Sequence, residues 1–253
     1  MQRPHKPLID PALRKKSIYL LPNLFTTSAL FAGFYAIVQS MGGHYDQAAA
    51  AIFVAMVLDG IDGRVARFTH TQSSFGAEFD SLSDMVSFGV APALVVYVWA
   101  LQGMGKLGWI GAFIFCVGAA LRLARFNTKL DVADKRYFQG LPSPSAAAVV
   151  AGFVWVLDDY GTAGKDVMWL AWGVTVFSGI SMVSNLRYYS FKEINTRKSI
   201  PFVALLLIIL GFALLTYKPP LVLFLFFVVY ALSGYGMWLV SLKKQGLTKT
   251  TPE

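Results

Sequence analysis

Charge is scarce in this chain: Asp, Glu, Lys and Arg supply 14% of its 253 residues, against about a quarter in an ordinary soluble domain. With 56% hydrophobic residues and a mean hydropathy of +0.55, that shortage excludes an intrinsically disordered chain and argues against a soluble enzyme. There is one cysteine, Cys116, so no disulfide forms within the chain. Lying inside an apolar run, Cys116 reads as a small buried apolar residue. None of the three histidines stands beside other donors at metal-ligand spacing, which argues against zinc; His70 reads as a solvated loop residue. Acids are scarcer than bases, 14 against 22, yet five of the 14 (Asp59, Asp62, Glu78, Asp80 and Asp84) fall within 26 residues.

Long hydrophobic runs are what the chain has instead. Stretches free of charge cover 17–45, 47–58, 85–105, 107–121, 137–157, 167–186, 199–217 and 219–242. A membrane-spanning helix needs about 20 mostly apolar residues, and most of these runs supply them. The run at 107–121 reaches spanning length by continuing through Arg122 to Asn127. The run at 47–58 crosses only if it continues as a helix through Asp59 and Asp62 toward Arg67. The absence of period-2 alternation excludes a membrane β-barrel.

Eight spans put both termini on one side. With that side cytoplasmic, 19 of the 22 Lys and Arg residues lie there, and only Lys106, Lys165 and Lys218 fall opposite, as the positive-inside rule requires. The net charge of +8 is thus a record of topology and of attraction to anionic lipid, not a nucleic-acid footprint. The expectation is an all-α integral membrane protein of about eight transmembrane helices, both termini cytoplasmic. It forms a single polytopic domain over 1–242, and its first span is too long for a cleaved signal peptide. Residues 1–16 form a cytoplasmic or interfacial leader, with Leu8 to Lys16 as a short amphipathic helix, and 243–253 a disordered cytoplasmic tail.

The acidic window reads Asp59-x2-Asp62-Gly63-x2-Ala66-Arg67-x8-Gly76-x3-Asp80-x3-Asp84. At about 100° per residue, Asp59, Asp62, Gly63 and Ala66 share one helix face with Arg67 at its edge, and Asp80 and Asp84 are an i, i+4 pair. Two helices joined by a turn near Phe68 to Ser73 bring four carboxylates together if they pack antiparallel. Such a group repels itself unless cations neutralise it, and hard divalent ions, Mg²⁺ or Mn²⁺, suit oxygen ligands. Gly63, Ala66 and Gly76 leave a slot for a bulky ligand, and Arg67 offers a fork of donors suited to phosphate. Counting residues from Gln47 places Asp59 about 18 Å along its helix, in a cavity at headgroup level on the cytoplasmic side. Ion pairing of the acids with Arg64 and Arg67 is the bland alternative, but two arginines do not neutralise four acids.

This pattern resembles the signature of the CDP-alcohol phosphotransferase family, without gap or substitution. The resemblance implies that Asp59, Asp62 and Asp80 hold two metal ions on the diphosphate of a CDP-linked lipid. It further implies that Asp84 both faces the metals and takes the proton of the incoming alcohol. Gly63, Ala66, Arg67, Ser73 and Gly76 would line the CDP-lipid site. Asn23 and Thr26, in the similar segment Pro22 to Thr26, would contact it too; a helix cap and an interior hydroxyl bonded to backbone are their alternative readings.

The segments Leu121 to Asn127, Phe138 to Pro144 and Val183 to Lys192 resemble those of bacterial members that form phosphatidylserine. The implied substrates are CDP-diacylglycerol and L-serine, the products phosphatidylserine and CMP, the compartment the bacterial inner membrane and the assembly a homodimer. Arg122 and Arg125, i, i+3 neighbours, are candidates for the serine carboxylate, with anchoring at the membrane interface as their alternative. Gly140, Pro142 and Pro144 read as a tight loop restarting a helix capped by Ser143, Phe138, Tyr188 and Tyr189 as packing residues, and Asp131 and Asp134 as a solvated charge cluster. Another acceptor (glycerol phosphate, inositol or choline) stays open, as does a divalent-cation transporter that ligates its ion with the same acids.

Overall fold

The computed structural model describes residues 11–69, 71, 73–128, 137–190 and 202–248. His70, the 129–136 loop with Asp131 and Asp134, and the first ten residues lie outside that range. Eight helical rods appear among the described residues: α1 (Pro11–Met41), α2 (Tyr45–Phe68), α3 (Ser74–Met104), α4 (Lys106–Thr128), α5 (Ser143–Asp159), α6 (Met168–Val183), α7 (Phe202–Tyr217) and α8 (Pro219–Thr248). They follow the order of the apolar runs. Five segments are long and apolar enough to cross a membrane: Pro22–Met41, Ser74–Met104, Lys106–Thr128, Gly164–Val183 and Pro219–Ser241.

α2 does continue through Asp59 and Asp62, 24 residues without a break. α3 is longer than its charge-free run, because the acidic segment is its first part. Within α3 the turns widen at Met85–Val90 and Tyr97–Leu101. Pro92 follows the first of these, and a proline lacks the N–H that a regular α-turn would use.

Several expectations at the element ends need correction. The leader does not form a separate helix over Leu8 to Lys16: residues 11–16 are the first turns of α1. Nor is the tail irregular from 243, since α8 extends to Thr248. Residues 137–142 do not open a helix. Tyr137–Gln139 is a strand, β1, paired antiparallel with β2 (Arg187–Tyr189) in the register Tyr137↔Tyr189, Phe138↔Tyr188 and Gln139↔Arg187. The helix starts at Ser143, which is not its cap; Pro142 occupies that position without a side-chain bond. Tyr188 is fully buried, as a packing residue should be, with its hydroxyl donating to the Ala231 carbonyl at 3.1 Å. Cys116 is half-buried rather than buried.

Small residues let the rods approach closely, which is how helices associate where the surroundings are as apolar as their side chains. α2 contributes Ala48, Ala49, Ala51 and Ala55 to the core, and α5 contributes Ala146, Ala147, Ala148 and Ala151. Phe53 of α2 packs on Trp155 of α5 at 5.8 Å between ring centres. α1 turns back into α2 at Gly43, whose φ of +80° suits glycine. At the crossing of α4 and α6, a Cβ on Gly118 would stand 2.5 Å from the Gly179 carbonyl oxygen. Gly118→Leu should therefore destabilise the protein by about 1–3 kcal/mol, read as a lower Tm in detergent; an unchanged Tm would mean that the two helices can part without cost.

Candidate active site

The turn between α2 and α3 is short and internally bonded. Thr69 donates its hydroxyl to the Val65 carbonyl at 2.7 Å, and the Thr71 N–H donates to the Ala66 carbonyl at 3.1 Å. Ser73 then caps α3, its Oγ accepting the Gly76 N–H at 3.0 Å. This turn reverses the chain and sets the second pair of acids against the first.

The carboxylates converge. One oxygen each of Asp59, Asp62 and Asp80 lie within 4.8 Å of one another. Asp84 stands at hydrogen-bonding distance from Asp59, a contact that two ionised carboxylates make only with a proton or cation between them. Asp80 Oδ1 is buried without a hydrogen-bond partner among the described residues. Clustered oxygens, one of them buried and unpaired, fit a hard divalent cation.

α1 supports this centre from one side. The Thr26 hydroxyl lies 2.7 Å from Asp62 Oδ2 and 3.1 Å from the Pro22 carbonyl oxygen, so both readings of Thr26 hold at once: it bonds backbone and orients an acid. Ser83 donates to the Thr26 carbonyl at 3.2 Å and Ser87 to the Ala29 carbonyl at 3.1 Å. Asn23 lies inside α1 and is not its cap. Its Oδ1 is 3.5 Å from where a Cβ on Gly76 would be, while the space above Gly63 is open to at least 4 Å. Asn23, Gly63 and Gly76 thus stand together as one side of a slot, with Ala66 half-buried and Arg67 exposed beside it.

Arg122 and Arg125 go to different partners. Arg122 is buried, donates from Nη1 to Ser143 Oγ at 2.7 Å and faces Asp84 and Asp59. It is therefore a counter-charge inside the bundle and not an interface anchor. Arg125 reaches the Ser184 carbonyl at 3.3 Å and Asn185 Oδ1 at 3.4 Å, tying α4 to the segment before β2. Sequence reasoning missed Ser143 and Asn185 as partners; a loop serine and asparagine carry no pattern that singles them out.

On the far flank of α2 a cavity of about 540 Å³ opens between Arg64 and Arg67, the start of α5, the end of β2 and the α8 residues Phe226 and Tyr230.

A bundle of apolar helices enclosing acids suited to a divalent ion, with a slot for a bulky ligand, defines a polytopic helical membrane protein built for phosphate chemistry. A family model for CDP-alcohol phosphatidyltransferase matches residues 19–177, and the chain belongs to that family. Over 228 residues it is 37% identical to the CDP-diacylglycerol--serine O-phosphatidyltransferase of Helicobacter pylori strain J99, covering 90% of this chain and 94% of the relative. Proteins of the same name from Mycobacterium bovis (36% identity, 67% of this chain and 63% of the relative) and Methanocaldococcus jannaschii (37% identity, 56% and 63%) are similar over shorter lengths.

Thr26→Val keeps the shape of the side chain but removes the hydroxyl from Asp62. Loss of such a supporting bond costs about tenfold or more in metal affinity, expected as a rise in the Mg²⁺ or Mn²⁺ concentration giving half-maximal activity. No rise would mean that Asp62 is oriented without Thr26.

Proposed function

We propose that this protein transfers the phosphatidyl group of CDP-diacylglycerol to the hydroxyl of L-serine, giving phosphatidylserine and CMP. The observation that carries the reading is the convergence of Asp59, Asp62 and Asp80 within 4.8 Å, with Asp84 beside them and the open slot at Gly63. The names of the similar proteins support serine as the acceptor.

In this reading Asp59, Asp62, Asp80 and the facing side of Asp84 hold two divalent ions, Mg²⁺ or Mn²⁺. Bound there, the ions would neutralise the diphosphate, polarise the phosphorus under attack and stabilise the departing CMP. Asn23, Gly63, Ala66 and Gly76 make room for the CDP group, with Arg67 directed to phosphate. Ser73 shapes the same wall by capping α3. Asp84 accepts the proton of the serine hydroxyl as its oxygen bonds to the phosphorus nearer the diacylglycerol, and the bond from that phosphorus to the CMP oxygen breaks. Arg122 balances the charge behind Asp84. No covalent enzyme intermediate is required, since the Ser residues of the window have no adjacent base to activate them.

The same proposal includes eight spans in one domain over 1–242, with both termini and the carboxylates on the cytoplasmic side of a bacterial inner membrane. The distribution of 19 bases against three supports that orientation. The assembly is a homodimer, as the family resemblance implies.

CMP release by the purified protein with each of L-serine, glycerol phosphate, inositol and choline tests the acceptor. Turnover with serine alone is expected; turnover only with another alcohol would overturn the serine assignment. Asp84→Asn should cut turnover by about 10²-fold or more while donor binding persists, and near-normal turnover would move the base elsewhere. Gly63→Leu, which fills the slot, should abolish activity in a protein that still folds; retained activity would exclude the slot as the donor site.

A further inference from the structure

The cavity on the far flank of α2 lies off the face that carries the acids. At about 100° per residue, Arg64 stands about 140° round α2 from Asp59. The slot at Asn23, Gly63 and Gly76 belongs to the side of α2 that meets α1 and α3. The cavity belongs to the side that meets α5 and α8. Its walls combine the guanidinium groups of Arg64 and Arg67 with aromatic rings at Tyr189 and Tyr230 and the hydroxyl-bearing Ser190.

Ser190 is the informative member. It is 2% exposed, its Oγ is buried, and that oxygen has no hydrogen-bond partner among the described residues. Buried hydroxyl groups are normally paired, because an unpaired one has lost its water without compensation. A polar group left so, at the edge of a cavity that also presents two arginines, is provided for by a ligand.

The cavity also reaches the reacting centre through one side chain. Pro142 and Pro144 line it, and between them Ser143 accepts the bond from Arg122, which faces Asp84. An in-line displacement brings the acceptor to phosphorus from the side opposite the leaving group. With CMP departing on the α1 and α3 side, the acceptor enters from the α5 and α8 side, where this cavity lies.

We propose that the cavity is the acceptor subsite and that Ser190 is a specificity-determining residue in it. Arg64 pairs with the carboxylate of an amino-acid acceptor, and Ser190 Oγ hydrogen-bonds to the same polar head. This rests on the proposed transfer to L-serine. The shared chemistry, an anionic group between two guanidiniums, is also that of the donor diphosphate, and kinetics separates the two sources.

The test is steady-state CMP release by the full chain in mixed micelles, varying L-serine and CDP-diacylglycerol independently. Ser190→Ala and Arg64→Gln should each raise the KM for L-serine about tenfold or more, with the KM for CDP-diacylglycerol within about twofold of wild type. An unchanged donor KM also shows that each variant is folded. An unchanged serine KM in Ser190→Ala would overturn the proposal, as would a donor KM that rises in parallel, which would make the cavity part of the donor site. If wild type uses another alcohol and not serine, the transfer reading alone fails; Ser190→Ala must then raise the KM of that alcohol, and no rise would overturn the subsite as well.

Discussion

Four carboxylates packed between two helices of a largely apolar bundle are the constraint on which the rest of this structure depends. Ionised acids at such distances repel, and hydrocarbon gives them no water to screen that repulsion. α2 and α3 therefore need attachments away from the acids. α1 supplies them along one side, through the Thr26 contact with Asp62 and the Ser83 and Ser87 bonds to its carbonyls. Arg122 supplies the opposing charge from α4, and its own position is fixed by Ser143 at the start of α5. The site is thus held by every helix from α1 to α5, which explains why so little of the described polar chemistry lies elsewhere in the core.

This arrangement separates the two flanks of α2. One flank, with small residues and the α1 asparagine, leaves room for a bulky nucleotide. The other, with two arginines and a buried serine, faces a polar cavity. A helix presents different chemistry at different angles around its axis, so one stretch of nine residues from Asp59 to Arg67 can serve both flanks. Arg122 links them, because it touches the wall of the cavity and faces the acid proposed as the base.

Much of this was legible in the sequence because the signals are local and periodic. The continuation of α2 through Asp59 and Asp62 followed from the length a helix needs. The pairing of the acids followed from the i, i+3 and i, i+4 spacing and a short turn. The two-stranded sheet was not legible, since β1 and β2 are three residues each and lie 50 positions apart in sequence; apolar runs containing Tyr and Phe suit a helix or a strand equally. The directions of Arg122 and Arg125 were not legible either. Their spacing put them on one face of α4, but which partner each finds depends on Ser143, Ser184 and Asn185, brought in from other elements.

The sequence by itself determined which segments are helical, that acids would meet at the turn between α2 and α3, and the chemical class of their ligand. These depend on composition, on period and on spacing within one stretch of chain. Only the tertiary structure decided that Thr26 touches Asp62, that Arg122 stands behind Asp84 and that Ser190 is left unpaired at a cavity. Each of those is a contact, or a missing contact, between residues far apart in the chain, and such distances are set by how the helices pack and not by the residues one after another.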